Sequence, residues 1–182
     1  EILMRKAQYR TLAATPTTRA QLVRGFIGAL CLLLSPFAHA GAQAEEKLSA
    51  SVQTALASAI ADRSALRLIG EPGQVQAWLA EMSSRLASRM PDPEQRREFL
   101  TTVQYESSRA GLDPQLVLAV INHESAFRKY AISSASARGY MQVMPFWVRL
   151  IGTADHNLFH LRTNLRYGCV ILRHYLDIEK GD

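Results

Sequence analysis

Residues 113–124 read Asp113-Pro114-Gln115-Leu116-Val117-Leu118-Ala119-Val120-Ile121-Asn122-His123-Glu124, and this stretch decides the fold. Asp-Pro is a helix start: the Asp carboxylate caps the first free amides, and proline suits the first helical position, where no donor is needed. From Leu116 to Ile121 every position is apolar. That run predicts a helix buried on nearly every side. Glu124 then falls seven, four and three residues after Val117, Val120 and Ile121, at the helix C-terminus. Partial desolvation and the negative end of the helix dipole both favour its protonated form. A carboxyl that keeps its proton near neutrality is what a general acid requires. Spacing alone leaves an equal alternative, a solvent-facing glutamate paired with Arg128 at i+4.

Working upstream, Asp92-Pro93 repeats the start signal for a helix carrying Phe99, Leu100 and Val103 and stopping at Gly111. Before it, Leu48, Val52, Leu56, Ala59 and Ile60 recur at helical spacing, as do Val75, Trp78, Leu79, Met82, Leu86 and Met90. With Gly70-Glu71-Pro72-Gly73 between them, the two patterns predict an antiparallel hairpin with a tight turn. No alternating strand pattern of useful length occurs, so the expected class is all-α. The expected organisation is a leader over residues 1–40, a helical hairpin over 41–91 and a helical domain over 92–182.

The leader is read from residues 25–34, ten uncharged residues that follow Arg5, Lys6, Arg10, Arg19 and Arg24. Ser35-Pro36 ends the run, and Ala38-His39-Ala40 puts small residues at both positions a signal peptidase reads. Met4 is a better start than Glu1. Ten residues fall far short of the ~20 that span hydrocarbon, and Cys31 lacks a small residue before it. A secretory signal without lasting anchor is therefore expected, with the mature chain periplasmic. The formal charge of +5 shrinks once residues 1–40 are set aside, leaving 16 basic and 15 acidic residues. Nothing in that balance points to a nucleic-acid partner. Cys169 is then the sole cysteine, and its spacing with Leu165, Leu172 and Leu176 makes it a core residue.

Downstream of Glu124, residues 128–139 are rich in Ser, Ala and Gly, with Arg128, Lys129 and Arg138 their only charges. Gly139-Tyr140-Met141-Gln142 follows. Small residues let a polymer approach the backbone, and glutamine offers a donor and an acceptor to sugar hydroxyl and acetamido groups. An ordinary surface loop would suit the same residues.

Three ordered motifs now stand together: Glu124-Ser125-x-Phe127; Ala131-x-Ser133 followed by Gly139-Tyr140-Met141-Gln142-x-Met144-Pro145; and Asn164-Leu165-x-x-Gly168 with Tyr175-Leu176. From Gly111 to Leu176 the sequence resembles the catalytic domain of soluble lytic transglycosylases, goose-lysozyme-like enzymes that cleave murein. The resemblance implies a lysozyme-like helical domain with Glu124 as acid and then base. It implies Ser125, Ser133, Met141 and Gln142 as substrate-binding residues. Ser125 would orient backbone around the carboxyl, Ser133 would meet the substrate or the acid, and Met141 and Gln142 would line sugar subsites. Tyr140 stands where the family has Leu and is expected to pack in the core; Ser136 stands where Gly is common. The family's later Tyr-Asn pair has no counterpart before Asp182, so the chain reads as a truncated form or an impaired one.

The implied reaction needs one carboxyl and no cofactor. Glu124 protonates the oxygen between N-acetylmuramic acid and N-acetylglucosamine, the substrate's acetamido group stabilises the developing cation, and the muramic C6 hydroxyl closes onto C1 as Glu124 takes its proton. Two alternatives stay open: lysozyme-like hydrolysis, with Asp155 the nearest downstream acid, and a non-catalytic peptidoglycan-binding module. Envelope or secretion-machinery partners fit either. A metal site is not expected, because Phe127 stands where a zinc-protease helix starting His123-Glu124 needs its second histidine, and His156 and His160 flank a turn. Cys169 and His174, five apart on one helix, face different ways and make no thiol enzyme.

Overall fold

The computed structural model describes residue 45 and residues 47–179. The leader read over residues 1–40 lies outside the described residues. Six helices follow in order: α1 (Ala50–Ala61), α2 (Pro72–Leu86), α3 (Pro93–Arg109), α4 (Pro114–Ser125), α5 (Phe146–Ile151) and α6 (Leu161–Glu179). Among the described residues there is no strand, only isolated bridges pairing Arg138 with Ile132 and with Val143. The class is all-α, as expected.

The acid-proline signals act as local chemistry predicts. Asp92 Oδ1 accepts from the Glu94 amide at 2.9 Å, and Asp113 Oδ1 from the Gln115 amide at 2.8 Å. Glu71-Pro72 is a third start of this kind: the Glu71 carboxylate accepts from Gly73 and Gln74 at 3.1 and 2.7 Å. The four residues expected to make a tight turn instead open α2, and the non-helical residues 62–71 separate it from α1.

One continuous core draws Leu56 and Ile60 from α1, Met82 and Leu86 from α2, and Leu165 and Cys169 from α6. At its centre Phe99, Val103, Val117, Ile121 and Leu165 are wholly inaccessible, each contributing roughly 1.5–3 kcal/mol by burial. Helix α3 packs against α2, α4 and α6, while α1 packs against α5 and α6.

Two expectations need correction. Helix α4 is not buried all round: Val117, Leu118 and Ile121 face the core, but Leu116 is 41% exposed and Ala119 lies open. The helix packs against α3 along one flank, and an apolar side chain facing water is tolerated. The more deeply buried helix is α3, which encloses Thr102, Gln104, Glu106 and Ser107 beside its apolar residues. Helix α1 ends at Ala61, well before Gly70. Its terminal carbonyls have other partners: Arg109 Nη1 donates to Ala59 O at 3.0 Å, and Arg166 Nη1 to Ile60 O at 3.3 Å. Arg166 also reaches Asp62 O, and Arg162 reaches Ser64 O. Cations at a helix C-terminus satisfy its orphan carbonyls and oppose its dipole.

These arginines converge on one anion. Glu106 has no exposed surface. Its Oε1 accepts from Arg162 Nε and Arg166 Nη2, both at 3.0 Å. Its Oε2 accepts from Arg109 Nε at 3.1 Å and Arg166 Nε at 3.3 Å. Four donors fill the carboxylate's acceptor sites, which is what a buried charge requires. The hub ties α3 to α6 and both to the end of α1.

Candidate active site

The site grows from the C-terminus of α4. Glu124 lies four residues after Val120, and both are half-buried where the core meets solvent. Ser125 is only 1% exposed; its hydroxyl donates back to Ile121 O at 3.1 Å. The Ser125 carbonyl accepts from Arg128 through both the amide (3.1 Å) and Nε (3.0 Å). Ser125 therefore holds the helix end and the chain beyond it, and its hydroxyl does not face solvent.

The chain then turns sharply. Ala126 and Phe127 have φ of 48° and 64°, left-handed backbone without a glycine. Such residues cost of order 1–3 kcal/mol each and persist where surroundings hold them. Here Phe127 sits edge-on to Phe99 at 6.0 Å, and Phe99 packs on Tyr140 at 4.9 Å. Tyr140 is 3% exposed, so the packing role expected of it holds. Burial pushes its hydroxyl pKa up, with Glu98 and Tyr130 adding to the rise.

Ser133 closes a second turn. Its amide and hydroxyl bond Ala137 O and N, each at 3.1 Å, while Ser136 N donates to Ser133 O at 2.9 Å. Ser136 has φ of 69°, which gives a physical reason why glycine suits this position.

Gln142, with φ of 47°, places its amide nitrogen against Gly139 O at 3.0 Å and Ala131 O at 3.2 Å. It is half-buried, whereas Met141 is 8% exposed. Met141 packs so tightly on α6 that a Cβ at Gly168 would come within 2.7 Å of Met141 Cβ. Glu124 and Ser125 thus end α4, while Ser133, Met141 and Gln142 belong to the one loop that follows.

Asn164 organises that loop, a role its place in a helical motif did not reveal. It is fully buried. Its Oδ1 accepts from Met141 N, and its Nδ2 donates to the carbonyls of Arg138 and Leu158. Gly139, with φ of 74°, passes so close that a Cβ there would sit 2.7 Å from Leu158 O and nearer still to Asn164 Nδ2.

Asp155 lies elsewhere. With Arg63, His156 and His160 it lines a cleft of about 490 Å³ that none of the five predicted site residues borders. Its pKa is lowered, first by a hydrogen bond from the Thr153 side chain. His156 Nδ1 lies 2.7 Å from the Tyr167 hydroxyl. Cys169 is buried and free, and burial raises its thiol pKa. No His, Cys, Asp and Glu cluster suited to a metal occurs among the described residues.

Residues 101–181 match the family described as the transglycosylase SLT domain. Over 66 residues, 36% of the chain, it is 41% identical to a membrane-bound lytic murein transglycosylase C of Mannheimia succiniciproducens. Over the same length and share it is 43% identical to the enzyme of that name from Haemophilus influenzae. Over 49 residues, 27% of the chain, it is 47% identical to the one from Glaesserella parasuis. The chain spans 17% of the length of the first two relatives and 14% of the third. No solved structure matches it. Among the described residues no helix is long and apolar enough to cross a membrane.

Proposed function

We propose, taking residues 101–181 as an SLT-type domain, that the chain is a periplasmic lytic transglycosylase acting on peptidoglycan glycan strands. The observation that carries the reading is the position of Glu124: a half-buried residue at a helix terminus, followed by an alanine- and serine-rich loop pinned by Asn164. Glu124 gives its proton to the oxygen between N-acetylmuramic acid and N-acetylglucosamine, and the C1–O bond breaks. The substrate's acetamido group supports the cationic centre. Glu124, now a carboxylate, takes the proton of the muramic C6 hydroxyl as that oxygen bonds to C1. The acid is restored, the product is a 1,6-anhydro sugar, and no water is consumed.

Ser125 acts by position. Its hydroxyl bonds Ile121 O and its carbonyl fixes Arg128, so the turn after Glu124 keeps one shape. Ser133 and Gln142 serve through the loop they brace, with the Gln142 side-chain carbonyl the group turned to acetamido or hydroxyl donors. Met141 supplies the apolar wall. A two-carboxylate hydrolase draws no support from Asp155, which lines a cleft that Glu124 does not border.

Digestion of purified sacculi tests the reading. Release of anhydro-muropeptides is the expected result. Muropeptides with reducing ends would make the chain a hydrolase, and retained binding without release would make it a binding module.

A further inference from the structure

We propose that Tyr130 and Phe159, flanked by Lys129 and Arg138, form an additional subsite that takes a muramic sugar together with its acidic peptide. The inference rests on the glycan-cleaving reading and names residues outside the matched motifs. Tyr130 is 70% exposed, the most open large apolar side chain among the described residues, and Ile132 beside it is 65% exposed. Exposed apolar groups mark an interaction site when they gather into one patch, not when they lie scattered. Tyr130 does not stand alone: its ring centroid lies 5.8 Å from that of Phe159, with the planes inclined by 50°. Lys129 Nζ sits 5.4 Å from the Tyr130 ring centre, and Arg138 Cζ sits 5.9 Å from that of Phe159. Two rings and two cations therefore make one continuous patch.

The patch is fixed to the candidate site. Ala131, between Tyr130 and Ile132, accepts from the Gln142 amide at 3.2 Å and from Gly139 N at 2.9 Å. Asn164 Nδ2 holds the carbonyl of Arg138 on one side and that of Leu158, next to Phe159, on the other. One buried amide thus anchors both halves of the patch and Met141 as well. A surface so held needs little ordering when it binds.

Its chemistry selects the ligand. The apolar face of a hexose packs on an exposed ring. The lactyl group of muramic acid bears a peptide with free carboxylates, and residues 128–139 carry three cations and no acid. Charge-assisted contacts to Lys129 and Arg138 would distinguish a strand bearing peptide from a stripped one.

The test is equilibrium binding of the full chain, carrying Glu124→Gln to keep the ligand intact. The probes are soluble glycan strands with their peptides and the same strands after amidase treatment. Peptide-bearing strands should bind about tenfold more tightly, and the gap should narrow as salt rises. Adding Lys129→Ser and Arg138→Ser should erase the gap while leaving affinity for stripped strands unchanged. Tyr130→Ser should weaken both ligands. Equal affinity for the two strands, or a gap that survives the double change, overturns the subsite and leaves the glycan reading standing. Binding to neither strand overturns both. Circular dichroism identical to the parent establishes that these exposed changes leave the fold alone.

Discussion

Asn164 holds Met141 in place: its Oδ1 accepts from the Met141 amide at 2.9 Å while its Nδ2 donates to Arg138 O and Leu158 O, both at 2.8 Å. An amide side chain matches one donor and two acceptors at once, and no aspartate or leucine can. Asn164→Ala leaves the Met141 amide and the Leu158 carbonyl unpaired, while Arg138 O keeps the Val143 amide at 3.0 Å; the change should cost roughly 3 kcal/mol, read from urea unfolding. Asn164→Asp should fail to restore the loss, because a carboxylate cannot donate to the two carbonyls. A loss under about 0.5 kcal/mol, the range of ordinary surface changes, would show that the loop holds itself.

Glu106 is the anion that Arg109, Arg162 and Arg166 share; Asp62 meets Arg109 at the edge of the hub, at 3.3 Å. Glu106→Ala strands guanidinium groups in the interior and should destabilise the fold by roughly 3–5 kcal/mol. The midpoint of chemical unfolding checks it. Because the hub also holds the carbonyls that end α1, exchange of the backbone amides of Ser64–Gly70 should speed up in the same variant.

Ser136 occupies left-handed backbone at φ 69°. Ser136→Gly should therefore stabilise the chain by about 1 kcal/mol, seen as a raised thermal midpoint. No change, or a fall, would mean that the turn from Ser133 to Ala137 relaxes to suit serine.

Glu71 caps α2, and the Gln74 and Gly73 amides lower its pKa below the usual glutamate value. A carboxylate whose pKa is depressed by folding stabilises the fold above its unfolded pKa and loses that contribution as pH falls through the folded one. The gap in thermal midpoint between the parent and Glu71→Gln should accordingly be full at neutral pH. It should close below the usual carboxylate range, about pH 4. A gap independent of pH would assign the cap's worth to shape alone.

What could be read from the sequence was local. Asp92-Pro93 and Asp113-Pro114 start helices because cap and proline act within one turn, and Tyr140, standing where leucine was the expected residue, packs in the core beside Phe99. Glu124 lies at a helix end because spacing alone puts it there. What escaped was set by distant partners. The apolar run of α4 gave no sign that the helix packs along a single flank. Helix α1 stops early because arginines 50 and 106 residues away take its carbonyls. Glu106 falls in phase with Phe99 and Val103, and that acid on an apolar face was the available signal of a buried charge. Asn164 stood inside a recognised motif, yet its three bonds join segments up to 26 residues apart.

The most direct test of the central claim is the mass of muropeptides released from purified sacculi by the full chain and by Glu124→Gln. The account predicts anhydro-muropeptides, one water lighter than hydrolysis products, from the parent, and none from the variant at unchanged helix content and unfolding midpoint. Anhydro products released by Glu124→Gln at the parental rate would contradict it.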